Sequence, residues 1–448
     1  ADIPALDRRH EVATDVAIDD VQAIDRDHQQ NQHHRKSQCF GPRLRLREHL
    51  QDPLESLPSG DDHLNILVKH SLKNDVREWP KFHQTMDDFL PNDMPKNTPN
   101  SKTNHWERIN SDFTGGGRKD QHRTGASLKF LQNPRQTFVP MLAFSSCWNN
   151  SRHTGGESMI EEIVDLGFSN IELSHGMTIA KLPGIQKAYK RGLFTCSGVH
   201  NFFPSPVEVM IDAPDAYEFT SHRPFDRQRA LDMTFRTLDI AAEFQAQYLV
   251  LHMGSVPMNP KKWTKPLTAT VAEGGQQHPD YIKQKIAFVK KREKVGPLYF
   301  HRAIEALTQV AERAAEVGVK LAIESRSRFE DMPTEREMLA LQAHFADHPW
   351  VGYWHDFGHV QLKHNLGLLD HAEWLERIAP HLIGGHVHDV QWPARDHRTP
   401  FSGTLDYAPL LKFFPTDCPL IWELSPTREA AEIRQALLRW KSEFPERC

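Results

Sequence analysis

Carboxylates and imidazoles recur in the second half of this chain where short apolar runs end, and that placement is the first thing to explain. Glu172, His200, His252, Glu324, Asp356, His386 and Glu423 each close or follow such a run. Carboxylate oxygens and neutral imidazole nitrogens suit a divalent Mn, Mg, Co or Zn ion, and clustered carboxylates repel one another unless a cation separates them. One divalent metal ion is therefore expected. A lone strand-end histidine or glutamate is ordinary, but packing gives no reason for such groups to close strand after strand.

Three segments sharpen this. In His355-Asp356-Phe357-Gly358-His359 a strand's last carboxylate is followed three residues on by a histidine, while His355 should face the other way and serve structure. In His386-Val387-His388-Asp389 the two histidines share a face. The deeper one, His386, is the better ligand, and His388 the better support or substrate contact. Asp396-His397-Arg398 offers a carboxylate, an imidazole and a guanidinium to an anionic or polyhydroxyl substrate, though a solvated loop would read the same.

The elements that must position these groups are eight β-runs: 141–145, 170–173, 193–199, 248–252, 320–324, 352–356, 383–386 and 420–423. Amphipathic segments lie between them at 158–166, 228–243, 300–317, 335–345 and 408–413. Strands alternating with helices imply a parallel sheet with crossover helices, and eight repeats imply closure into a (β/α)8 TIM barrel of the α/β class. Such barrels carry their chemistry on the loops after the strands. The longest insertion, 253–297, has no single period and reads either as a substrate lid or as an oligomer arm.

The chain thus divides into residues 1–136, expected to be a largely disordered or non-native N-terminal extension, and a barrel over residues 137–448. The first part is rich in Asp, His, Gln, Asn, Arg and Pro and has only brief apolar runs. It starts with Ala1, and Met141 opens the first convincing strand, as a start assigned too far upstream would produce.

These residues resemble the xylose isomerase-like TIM barrel superfamily, which spans sugar phosphate isomerases, epimerases and the endonuclease IV group. The resemblance rests on Leu321-Ala322-Ile323-Glu324, Asp356-Phe357-Gly358-His359, His386-Val387-His388-Asp389 and Trp422-Glu423, and covers roughly residues 138 to 430. It implies metal ligation by Glu324, Asp356, His386 and Glu423. It also implies catalysis by Glu324 and Glu423, one removing a proton and the other returning it. His200, His252, His359, His388, His397 and Arg398 are the expected substrate contacts. The endonuclease IV branch has histidines at the places of His200 and His252, which makes a second metal conceivable there. That branch uses Asp-x-His for a third metal, whereas Asp396 and His397 are adjacent. Phe401 stands where a glycine of the following turn is expected, suggesting a bulkier pocket floor.

The expected function is a metal-dependent isomerase or epimerase of a small sugar or sugar derivative. The alternatives are an endonuclease IV-like phosphodiesterase and a non-catalytic metal- or sugar-binding barrel. The partner is then a small carbohydrate, with a homo-oligomer in keeping with the resemblance. A net charge of -5 argues against affinity for nucleic acid built on a general cationic excess. No apolar run is long enough for a membrane helix, and five scattered cysteines without CxxC suggest a reducing cytoplasm. Neither GxGxxG after a strand nor GxxxxGK[ST] occurs, so NAD and ATP are not implied.

Overall fold

The computed structural model describes residues 142–209 and 213–448. The expectations for residues 1–136 and for Met141 lie outside the described residues. Eight parallel strands close a barrel: β1 (Leu142–Ser145), β2 (Asn170–Leu173), β3 (Thr195–His200), β4 (Tyr248–Leu251), β5 (Lys320–Glu324), β6 (Val351–Asp356), β7 (Leu382–Val387) and β10 (Leu420–Trp422). Closure comes where Leu142, Ala143 and Phe144 of β1 pair with Leu420, Ile421 and Trp422 of β10. Between β7 and β10 the chain makes a two-stranded antiparallel hairpin, β8 (Asp389–Gln391) with β9 (Arg395–Arg398).

Strand alternation explains both cores. Ala143, Tyr248, Val250, Ala322, Trp354 and Ile421 form one buried cluster. Their strand neighbours Phe144, Leu249, Leu251, Leu321, Ile323, Tyr353, Leu420 and Trp422 belong to the larger one that includes the helices. Side chains two apart share a face, so the inward series Ala322, Trp354 and Ile421 continues to Glu324, Asp356 and Glu423. The same count sends His355 outward, where its ring meets Phe414 and His371.

The outer ring is α1 (Gly156–Leu166), α2 (Leu182–Lys190), α3 (Pro224–Glu243), α4 (Thr264–Ala272), α5 (Pro279–Val317), α6 (Glu335–His344), α7 (Phe357–Asn365), α8 (His371–Ile378), α9 (Tyr407–Leu411) and α10 (Ala430–Glu443). The helix expected at 300–317 begins 21 residues earlier, because α5 runs for 39 residues. Its buried positions Tyr281, Phe288, Arg292, Gly296 and Ala303 recur at helical spacing. Surrounding lysines and Pro297 hid that stripe. The first half of α5 is tied down by Arg292, which is 1% exposed and bonded to Glu337, Phe329 O and Asp331 O. The second part of the presumed insertion is therefore barrel helix.

Candidate metal centre at the barrel mouth

Glu324 ends β5, Asp356 ends β6, His386 lies on β7 and Glu423 follows β10. One ligand atom from each lies within 4.8 Å of the others, and all four side chains are buried. His386 Nδ1 stands 3.2 Å from Glu423 Oε2, 3.4 Å from Glu324 Oε1 and 3.8 Å from Asp356 Oδ2. Burial alone would push the three carboxyls up, but the imidazoles around them outweigh it: all three sit below the usual carboxylate range. Burial likewise pulls His386 down, yet Glu423 and Glu172 hold it well above the ordinary imidazole value. The pocket thus demands positive charge, and its two glutamates, one aspartate and one imidazole nitrogen fit a divalent ion.

Local structure fixes these side chains. Asp356 caps α7 by accepting the His359 backbone N–H at 2.7 Å, and its own N–H donates to Ser325 Oγ at 2.9 Å. His388 Nδ1 accepts the His397 N–H at 2.9 Å. Its hydrogen must then sit on Nε2, which donates to Asp356 at 2.9 Å. With both nitrogens engaged, His388 orients the aspartate. Glu172, absent from the expected site residues, lies 3.2 Å from His386 Nε2.

His200 and His252 come to Glu324 from the other side, with Nε2 atoms 3.4 Å and 2.7 Å from Glu324 Oε2. These three residues offer a further set of ligand atoms. However, Arg326 donates to the same His252 Nε2, and its other arm reaches Asp215 Oδ2 at 2.8 Å. Asp215 also meets His252 Nδ1 at 2.8 Å. A guanidinium already answers the charge there, so a second ion at His200 and His252 requires Arg326 to withdraw. Nothing in the spacing marks Asp215, which sits in the loop between β3 and α3.

On the outer side His359, His388 and His397 form a third cluster of donor atoms. Asp396 lies 3.2 Å from His397 Nδ1 and 3.9 Å from His359 Nε2. Adjacent strand residues should face opposite ways, but His397 has φ 50, which turns it to the same side as Asp396. Sequence spacing could not reveal that turn. His359 Nδ1 lies 3.1 Å from Ser325 O, and when it donates there Nε2 keeps a lone pair for the mouth. His175, another residue outside the expected set, stands 3.9 Å from Glu423 Oε1.

The charges acting on Arg398 are those of Arg428, Arg395, Glu432 and Asp389. The strand direction after His397 carries it toward α10. The expectation of a bulkier pocket floor at Phe401 is corrected. Phe401 takes φ 69, the conformation a glycine would adopt, and its ring packs on Tyr407, Trp440 and Phe444 under Arg439. The insertion meets the loop after β5 through Thr264 Oγ1, which donates to Glu330 at 2.6 Å.

The barrel with a cluster of candidate ligand residues at the ends of β5, β6, β7 and β10 defines a class, and the sequence comparison agrees with the barrel. The profile of the xylose isomerase-like TIM barrel family matches residues 160–442, and the chain belongs to that family. A putative xylose isomerase from Rhodospirillum rubrum has a similar structure (TM-score 0.50, 14% identity, covering 68% of this chain and 99% of that one). A 3-keto-D-glucoside 4-epimerase from E. coli matches with TM-score 0.49 and 15% identity over 68% of this chain and 100% of that one. An L-ribulose 3-epimerase matches with TM-score 0.48 and 15% identity over 68% and 98%. No curated protein matches.

Proposed function

We propose that this chain is a metal-dependent isomerase or epimerase of a small sugar or sugar derivative. The observation that carries the reading is the pairing of Glu324 and Glu423, each beside His386 Nδ1 at 3.4 Å and 3.2 Å. They stand on strands separated by β6 and β7 in the barrel order. Family membership supports it, since sugar isomerases and epimerases share this barrel.

A divalent ion held by Glu324, Asp356, His386 and Glu423 would supply Lewis-acid polarisation of a substrate carbonyl. Glu324 takes the proton from the carbon beside that carbonyl; the C–H electron pair moves into an enediolate. Glu423, supplied with a proton by the imidazolium of His397, whose Nε2 stands 3.5 Å from its Oε2, returns that proton to the opposite face, giving the epimer. Glu324 releases the abstracted proton to water once the product has left, and His359 and His397 orient substrate hydroxyls.

The test is elemental analysis of the purified protein, then incubation of the ion-loaded protein in D2O with a panel of ketoses and ketose phosphates. Deuterium entering beside the carbonyl, together with one ion per chain, supports the reading. Loading without exchange or sugar conversion overturns it.

One observation favours a second reading. His359, His397 and Asp396 gather despite their altered spacing, so a multinuclear phosphodiesterase keeps a structural basis. Two or three ions per chain with nicking of abasic duplex DNA would select it.

A further inference from the structure

The carboxylate of Glu172 lies one layer below the mouth, fully buried, in the part of the barrel filled by Tyr248, Val250, Ala322, Trp354 and Ile421. Neither proton transfer nor ligation uses it. Burying a carboxylate among apolar side chains is unfavourable unless strong hydrogen bonds compensate. Its partners are two: His386 Nε2, at 3.2 Å and 3.3 Å from its oxygens, and the Tyr248 hydroxyl, which donates to Oε2 at 3.1 Å.

The layer is built to keep those partners still. Tyr248 Oη is also 3.2 Å from Ser197 Oγ, and its ring lies 4.3 Å from that of Trp354. Trp354 in turn meets the His386 ring edge-on at 5.3 Å. Two glycines make this close approach feasible. A Cβ at Gly198 would run into the Tyr248 ring, and one at Gly384 into the Trp354 indole.

We propose that Glu172 is a positioning residue: it holds the Nε2 hydrogen of His386, so that Nδ1 alone faces the ion site, oriented and with raised donor strength. A neutral imidazole has one hydrogen and one lone pair, and the partner of one nitrogen decides which atom is left to bind. Carboxylates behind ligand histidines act this way, and losing one commonly costs ten- to a hundredfold in metal affinity. The inference rests on the metal-centre reading above, but not on the sugar chemistry.

The experiment compares wild type with Glu172→Gln, which keeps an acceptor oxygen but no charge, and Glu172→Leu, which keeps neither. Zinc affinity is measured by competition with a chromogenic chelator, the thermal midpoint is taken on the metal-free proteins, and the His386 Nε2–H resonance is followed in 15N-labelled, zinc-loaded protein. The expected result is affinity ten- to a hundredfold lower in Glu172→Leu, a smaller loss in Glu172→Gln, and an Nε2–H signal kept by the Gln variant and lost or shifted in the Leu variant. Should the Leu variant not fold, affinity and resonance in Glu172→Gln and Tyr248→Phe decide. Wild-type affinity in folded variants, with only the melting temperature lowered, overturns the positioning role and leaves the centre intact. A wild type that takes up no zinc overturns both.

Discussion

On the proposed reading Glu324, Glu423 and Asp356 each carry two duties, and conservative substitutions separate them. Glu324→Gln and Glu423→Gln keep an oxygen near the ion but cannot accept the substrate proton as a carboxylate does. Each should lower kcat on the order of 10²- to 10⁴-fold with the circular dichroism spectrum unchanged. Full turnover in either would sink the two-carboxylate mechanism. Asp356 is the cap of α7, through its bond from the His359 N–H, and on the proposed reading also a ligand. Asp356→Asn should lose the ion but keep the cap. Asp356→Ala should lose the ion and a further ~1 kcal/mol of stability, read from denaturant midpoints of the two metal-free variants.

Between elements, a directed chain of hydrogen bonds joins β6 to α7 and α8 behind the centre. Trp374 Nε1 donates to the Tyr353 hydroxyl at 2.8 Å, and that hydroxyl donates to His355 Nδ1 at 2.9 Å. His355 Nε2 then donates to His371 Nε2 at 3.0 Å, and His371 Nδ1 to Gln361 Oε1 at 2.8 Å. The sequence works only with both imidazoles neutral. Burial, helped by the charge of His364, takes His371 down to about 3 from 6.5. Between those values the unfolded chain binds a proton that the folded one refuses, so stability falls as pH drops below about 6.5 and levels off only near 3. The contribution of His371 alone to that loss should approach about 1.4 kcal/mol per pH unit in that window. Thermal midpoints from pH 7 to pH 4 should fall, and His371→Gln should flatten the slope; an equal slope in both proteins would refute this origin.

For the whole molecule, the barrel closes within residues 142–448, because β1 pairs with both β2 and β10. A chain beginning at residue 138 should therefore keep the metal stoichiometry and thermal midpoint of the 448-residue chain. Deletion through Ser145 should instead leave β2 and β10 with unpaired edges and abolish cooperative melting, followed by differential scanning calorimetry. Among the described residues no helix is long and apolar enough to cross a membrane.

The eight strands, their parallel order and the shared face of Glu324, Asp356 and Glu423 were legible because a strand alternates strictly: once Ala322, Trp354 and Ile421 point inward, these three must follow. Strand ends moved by only one or two residues. The sequence could not show the start of α5, whose buried stripe is diluted by lysines, nor the turn at His397 that puts it beside Asp396. Nor could it tell that Arg326 brings a guanidinium to His252, or that Glu172 reaches His386 from below. Local pattern determines which face of an element a residue occupies. Which groups from distant strands come within hydrogen-bond reach depends on barrel register and loop backbone, and those are decided only when the sheet closes.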